Sequence, residues 1–224
     1  VNGAAGDINV GHHARASITG SGGSKRTFAE AMRLGRILAG EVLKASETAG
    51  ETGDCEVGFA ARKVTISLDP IPSFSEFEAA ALRWEERVKE LEASGASYGE
   101  IQEAIVLAKW AREMSVRRAS GNLDSSVSVE VAAFTVGGCD FVTLPGEFFH
   151  ELGLAIKRAR SPRKVFILGY SNDNIGYVPI SPAYDEGGYE VEESYRYYGL
   201  PSRLARGGGE VIVEVLLDLL KTMR

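Results

Sequence analysis

The chain has 224 residues, 44% of them hydrophobic and 25% charged, with a formal net charge of −6. This suits one domain, or one large piece of one, with enough apolar residues for a sizeable core. The acidic balance argues against a nucleic-acid surface, and the lack of basic tracts or long apolar runs argues against membrane binding, a transmembrane span or a signal peptide.

In chain order, GAAGDIN (residues 3–9) reads by itself as an Asx-type turn closing on its own backbone. His12 and His13 are metal ligands by type, but adjacent histidines point apart and an exposed loop is preferred. Residues 19–25 are rich in Gly and Ser and read as a loop. Thr27 is placed to cap a helix over 28–45, whose Met32, Leu34, Ile37, Leu38 and Val42 predict a broad buried face. Residues 54–68 alternate on two phases (Val57, Phe59, Ala61, then Val64, Ile66, Leu68), which predicts strand with a bulge or phase shift near Arg62. Cys55 there and Cys139 further on read as buried free thiols rather than a disulfide, and no CxxC metal site is possible. Cysteine usage leaves the compartment open, with a soluble cytoplasmic chain slightly favoured over a secreted one.

After Pro70 and Pro72 comes a helical hairpin, about residues 73–120, turning at Ser94-Gly-Ala-Ser97 and packing Leu82, Val88 and Leu91 against Ile101, Ile105, Ala108 and Trp110. An alternating strand follows at 126–134, then the apolar strand end 141–144, broken by Pro145-Gly146. Helical spacing runs from Glu147 to Arg160 (Phe148, Leu152, Ala155, Ile156). Glu147 thus stands at a helix N-terminus, where unpaired N–H groups and the helix dipole favour a carboxylate, and a plain capping acid is one reading of it. A second buried strand at 164–169 runs into the polar loop 170–179, so that strand, helix and strand form a βαβ unit with loops at the strand C-terminal ends, a favoured place for sites. The loop 180–198 carries Tyr184, Tyr189, Tyr195, Tyr197 and Tyr198, read mainly as aromatic packing. Gly207-Gly-Gly209 is read as a flexible junction into a last helix over 210–223.

Four stretches, GAAGDIN, LPGEFF, GYSNDNIGYVP and GGYEVE, occur in an order that resembles the neutral/alkaline (non-lysosomal) ceramidase family, in particular its shorter prokaryotic members. The resemblance extends along the whole chain and implies the C-terminal half of a catalytic domain. The fold expected is α/β, with mixed or mostly parallel buried sheets flanked by helices and a helical hairpin insertion, an incomplete domain completed by a second chain. That second chain would be the N-terminal half of the same protein or a separate equivalent.

The activity the resemblance implies is zinc-dependent hydrolysis of an N-acyl amide, a ceramide or a related lipid or small molecule. Glu147 and Tyr177 would be metal ligands, with two further histidines supplied by the N-terminal half; His12, His13 and His150 match neither of those positions. Tyr189 would donate to the oxyanion, Asp7 and Asn9 would orient water or the amide, and Asn172 and Asn174 would line the substrate pocket. Two departures from the family pattern stand out. Asn9 occupies the place of a serine, which removes a covalent serine mechanism there. Asn174 stands where an aromatic is expected, so the substrate need not be a sphingolipid. The alternative is a non-catalytic subunit of the same fold that binds a partner or ligand.

Overall fold

The computed structural model describes residues 1–9, 27–50 and 53–223. The glycine-serine stretch 19–25 and His12 and His13 lie outside the described residues. The elements run α1 (Phe28–Thr48), β1 (Val57–Ser67), α2 (Phe74–Ser94), α3 (Tyr98–Ala119), β2 (Ser126–Val136), β3 (Cys139–Leu144), β4 (Glu147–Phe148), α4 (His150–Ala159), β5 (Lys164–Gly169), β6 (Tyr177–Val178), α5 (Ala183–Glu186), α6 (Tyr189–Glu192), a 3-10 helix (Ser194–Tyr198) and α7 (Gly208–Thr222). The result is a mixed α/β fold with a partly parallel sheet flanked by helices. Among the described residues no helix is long and apolar enough to cross a membrane.

The main sheet has the order β1-β2-β3-β5, antiparallel except for the parallel pair β3 and β5 that the α4 crossover connects. Beyond the C-terminal ends of that pair lies a short parallel sheet of β4 and β6. Period-two alternation sends Val64, Ile66, Val129, Val131, Val142, Leu144, Val165 and Ile167 to one face, where α4 and α7 cover them with Leu152, Ile156, Ile212, Leu216 and Leu220. The two-phase pattern in β1 needs no bulge. Its register with β2 is continuous from Val57 to Ser67, and the two apolar sets lie on opposite faces of one regular strand.

The odd set belongs to the opposite face of the sheet. There Phe59, Phe134, Phe141 and Phe166 stand directly opposite one another across all four strands. The inner rings stack, Phe134 on Phe141 at 4.8 Å and Phe141 on Phe166 at 4.9 Å, while Phe59 remains 70% and Phe166 43% exposed.

Helices α2 and α3 each begin with a complete capping box, Ser73 with Glu76 and Ser97 with Glu100, and Gly95 closes α2 in the left-handed conformation. Phe77, Ala81, Trp110, Ala111 and Met114 form the hairpin's own core. Leu82, expected inside, is exposed, because the inner face of α2 runs through Phe77 and Ala81.

Three further expectations are corrected. None of the residues of α1 is buried, so the predicted inner face of Met32, Leu34, Ile37, Leu38 and Val42 has nothing in the described chain to pack against. Cys55 is exposed and Cys139 half-buried, since both lie at the strand ends next to the β2–β3 turn rather than in the core. The glycines opening α7 are packed rather than flexible. A Cβ on Gly208 would come within 2.5 Å of Ile66 and one on Gly209 within 2.7 Å of Leu152, so their small size lets the helix start against the sheet.

Candidate active site

The first nine residues run over the C-terminal end of β5 and along β4. The Gly169 amide donates to the Asn2 carbonyl at 2.8 Å, and the Gly6 amide to the Phe148 carbonyl at 2.8 Å. At Gly6 the approach is so close that a Cβ would lie 2.2 Å from the Glu147 carbonyl oxygen, a backbone atom that cannot move aside cheaply. Glycine at this position is what lets a segment about 140 positions upstream lie beside Glu147.

Asp7 then reaches the start of α4. One carboxylate oxygen accepts the His150 backbone N–H at 2.7 Å and the other lies 2.5 Å from the His150 Nδ1. The residue at the helix boundary, Phe149, makes no side-chain cap bond, so it is Asp7 that caps the helix, the task that one of the two sequence readings gives to Glu147. Glu147 lies instead in β4, and the helix begins three residues later. The Asp7 hydrogen bond raises the His150 pKa above its ordinary value, against a smaller opposing effect of burial. Asp7, His150 and Glu151 bring their ligand-type atoms within 4.8 Å of one another, a donor group able to take a small cation but closed on itself here by the Asp7–His150 contact.

The parallel register of β4 and β6 puts Glu147 directly opposite Tyr177. The Glu147 carboxylate accepts hydrogen bonds from the hydroxyls of Tyr198 and, at 3.0 Å, Tyr170. Tyr170 takes this position with φ +56°, and Asn172 follows at +73°. A left-handed conformation in a bulky residue costs about 1–3 kcal/mol and persists only where its surroundings impose it. The Tyr177 ring packs edge-on against Tyr189 at 5.9 Å and Tyr198 at 6.3 Å. Burial, then the charge of Glu147, holds the Tyr177 phenol far above its ordinary pKa, and the same causes push Tyr189 up to about 12. Both therefore stay protonated at neutral pH in the chain as described. A bound cation acts in the opposite direction, favouring phenolate.

These groups enclose a cleft of about 490 Å³ whose walls include Asp7, Asn9, Glu147, Tyr170, Tyr177 and Tyr189. Five of the seven site residues expected from sequence thus meet in one place. Asn172 and Asn174 are not among the lining residues, and the Asn174 side-chain oxygen accepts the Gly176 N–H at 3.1 Å in an Asx-type turn. The residues missed from sequence are Tyr170 and Tyr198, which hold Glu147, and His150, which holds Asp7. Glu147 and Tyr177 offer a cation two oxygen donors, half the usual complement of four for zinc.

No protein-family model matches the chain, and no curated protein matches it. Among solved structures, 42% of the chain aligns with 15% of the neutral ceramidase from Pseudomonas aeruginosa, at 21% identity and a TM-score of 0.34. A ceramidase complexed with C2 aligns over 43% of this chain and 15% of its own, at 20% identity and the same TM-score of 0.34. The aligned part is thus a small fraction of either matched chain.

Proposed function

We propose that the chain contributes one half of a zinc-dependent, ceramidase-like amidase that hydrolyses an N-acyl amide, a ceramide or a related substrate. The observation that supports this reading is convergence: motifs around residues 7, 147, 177 and 189 form one cleft, with Glu147 and Tyr177 paired across two adjacent strands. Zinc accepts a carboxylate and a phenolate oxygen, and the two remaining ligands are the histidines expected from the other half. When bound, it polarises the scissile carbonyl and lowers the pKa of a bound water.

The chain's own residues do the rest. Tyr198 and Tyr170 fix the direction of the Glu147 carboxylate. Tyr189, protonated over the whole working range, donates to the oxygen that becomes negative when the amide carbon turns tetrahedral. Asp7, held on α4, keeps the segment carrying Asn9 along the cleft wall, where the Asn9 amide orients the substrate amide or water. The test is metal content. Glu147→Ala and Tyr177→Phe assemblies, measured by atomic emission after dialysis, are expected to lose stoichiometric zinc; full zinc in both would sink the assignment.

The replacement of serine by Asn9 favours a second reading, a non-catalytic subunit that retains the cleft and binds without hydrolysing. Stoichiometric zinc with turnover of an N-acyl amide selects the first reading, and a metal-free, inactive assembly selects the second.

Two apolar surfaces support a second chain as partner: the phenylalanine row on the open face of the sheet, and α1, where Phe28, Leu38 and Val42 are exposed with no buried residue on the helix. Buried sheets with a parallel pair are ordinarily covered on both faces, and an uncovered apolar face invites association. An obligate partner should bury well over the roughly 2,000 Å² typical of permanent assemblies. Residues 1–224 expressed alone are expected to aggregate or bind no zinc; a cooperatively unfolding monomer with tight zinc and amidase activity would refute the two-chain reading.

A further inference from the structure

The helical hairpin carries a cavity that the Glu147 site does not use. It has a volume of about 880 Å³, within the roughly 300–1,000 Å³ range of small-molecule sites. Its walls combine flat aromatic surface from Trp84, Trp110 and Tyr195 with the guanidinium groups of Arg83, Arg87 and Arg196. Trp110 is fixed from below by its indole N–H, which donates to the Leu200 carbonyl at 2.9 Å, and by edge-on contact with Phe77 and Tyr195. Arg196 lies over both the Trp110 ring at 5.7 Å and the Tyr195 ring at 5.4 Å.

The charge balance is uneven. Arg87 is paired with Glu90 at 2.9 Å, but among the described residues no carboxylate forms an ion pair with Arg83 or Arg196. The acid at this cavity, Glu76, is engaged by Ser73 in the capping box of α2. Arginines stacked on aromatic rings and lacking a carboxylate are a ready receptor for an anionic head group, because the planar guanidinium keeps its hydrogen-bond donors at the edge while the ring holds its face. The tryptophan walls suit an apolar body attached to that head.

We propose that this cavity is a binding site for an amphiphilic anion, a carboxylate or phosphate head on an apolar tail. The cavity and the Glu147 site share the 3-10 helix Ser194–Tyr198: Tyr195 and Arg196 line the first, and Tyr198 holds the carboxylate of the second. The inference depends on neither zinc nor hydrolysis, and its readout involves neither.

Trp84 and Trp110 are the two tryptophans of the chain, so 5-fluorotryptophan incorporated into this chain places both ¹⁹F labels at the cavity. The protein in the form in which it purifies is titrated with dodecanoate and with dodecyl phosphate below their micellar concentrations. A saturable shift of both resonances by at least one of them is expected, and the tighter of the two identifies the head group. Arg83→Gln combined with Arg196→Gln should weaken binding tenfold or more. Because Arg196 packs on Trp110, the exposed pair Arg83→Gln and Arg87→Gln is tested separately and should weaken binding at least threefold. The proposal is overturned if neither anion shifts the resonances, if dodecyltrimethylammonium or dodecan-1-ol binds as tightly, if inorganic phosphate alone reproduces the shift, or if both double variants bind like the parent.

Discussion

Tyr189→Phe is expected to lower kcat on an N-acyl amide by about ten- to a thousandfold while zinc stays bound, the range seen when a single well-placed oxyanion donor is removed. The expectation follows from where Tyr189 stands. It lines the cleft, packs edge-on against Tyr177 at 5.9 Å, and stays a neutral phenol because burial, then the charges of Glu147 and Glu190, push it up to about 12. The substitution removes one hydroxyl and leaves the ring contact intact, so the metal site and the loop should survive. Tyr197→Phe is the matched control. Its ring lies 6.0 Å from that of Tyr189, but its hydroxyl donates to Glu103 on α3 at 3.2 Å. A loss confined to Tyr189→Phe and to kcat assigns transition-state donation. A change confined to KM makes Tyr189 a substrate-binding residue, and equal losses in both variants point to the aromatic cluster acting as a packed unit.

The features that sequence carried well are those written in local periodicity and chemistry. The capping boxes of Ser73 and Ser97 lie within single turns, and the strand, helix and strand around Glu147 appear in their expected order. Other features depend on distant partners. Asp7 caps a helix 143 positions away, which no local pattern announces, whereas Glu147 stands in the chain where a capping acid is one natural reading. Tyr198 reads as one more ring in a tyrosine-rich loop until the 3-10 helix Ser194–Tyr198 aims its hydroxyl at Glu147. Tyr170 needs a positive φ that its residue type disfavours. The two faces of β1 are both apolar, so alternation alone suggested a bulge where the structure has one regular strand and an open row of phenylalanines. Helix α1 shows the same limit from the other side: its apolar stripe is plain in the sequence, but an amphipathic pattern names no partner.

Asp140→Ala is the substitution expected to cost the fold most, about 3–5 kcal/mol, the usual result of removing one member of a buried ion pair. Asp140 has no exposed side-chain surface, yet it sits in β3 among core residues. Its oxygens accept from Arg160 Nε at 2.8 Å, Arg163 Nε at 2.9 Å and the Arg163 terminal nitrogen at 2.6 Å. Arg160 ends α4 and Arg163 precedes β5, so one carboxylate ties the crossover to the strand it must lie beside. Burial pushes the Asp140 pKa up, but the hydrogen bonds from Arg163 and Arg160 outweigh it and hold the group below the ordinary carboxylate value. A depressed folded-state pKa means that this stabilisation is present above the unfolded value of about 3.9 and is lost as pH falls through the folded one. In a domain of this size the full cost corresponds to a drop in Tm on the order of 10 °C. The two arginines are partly exposed, 18% and 38%, and can turn towards water once the carboxylate is gone, which favours the lower end of the range. Asp140→Asn separates charge from volume. Its difference in Tm from the parent, measured on the purified assembly, should be largest near pH 7 and shrink steadily below pH 4, and a difference that stays constant down to pH 3 would mean that packing rather than the ion pair is what Asp140 supplies.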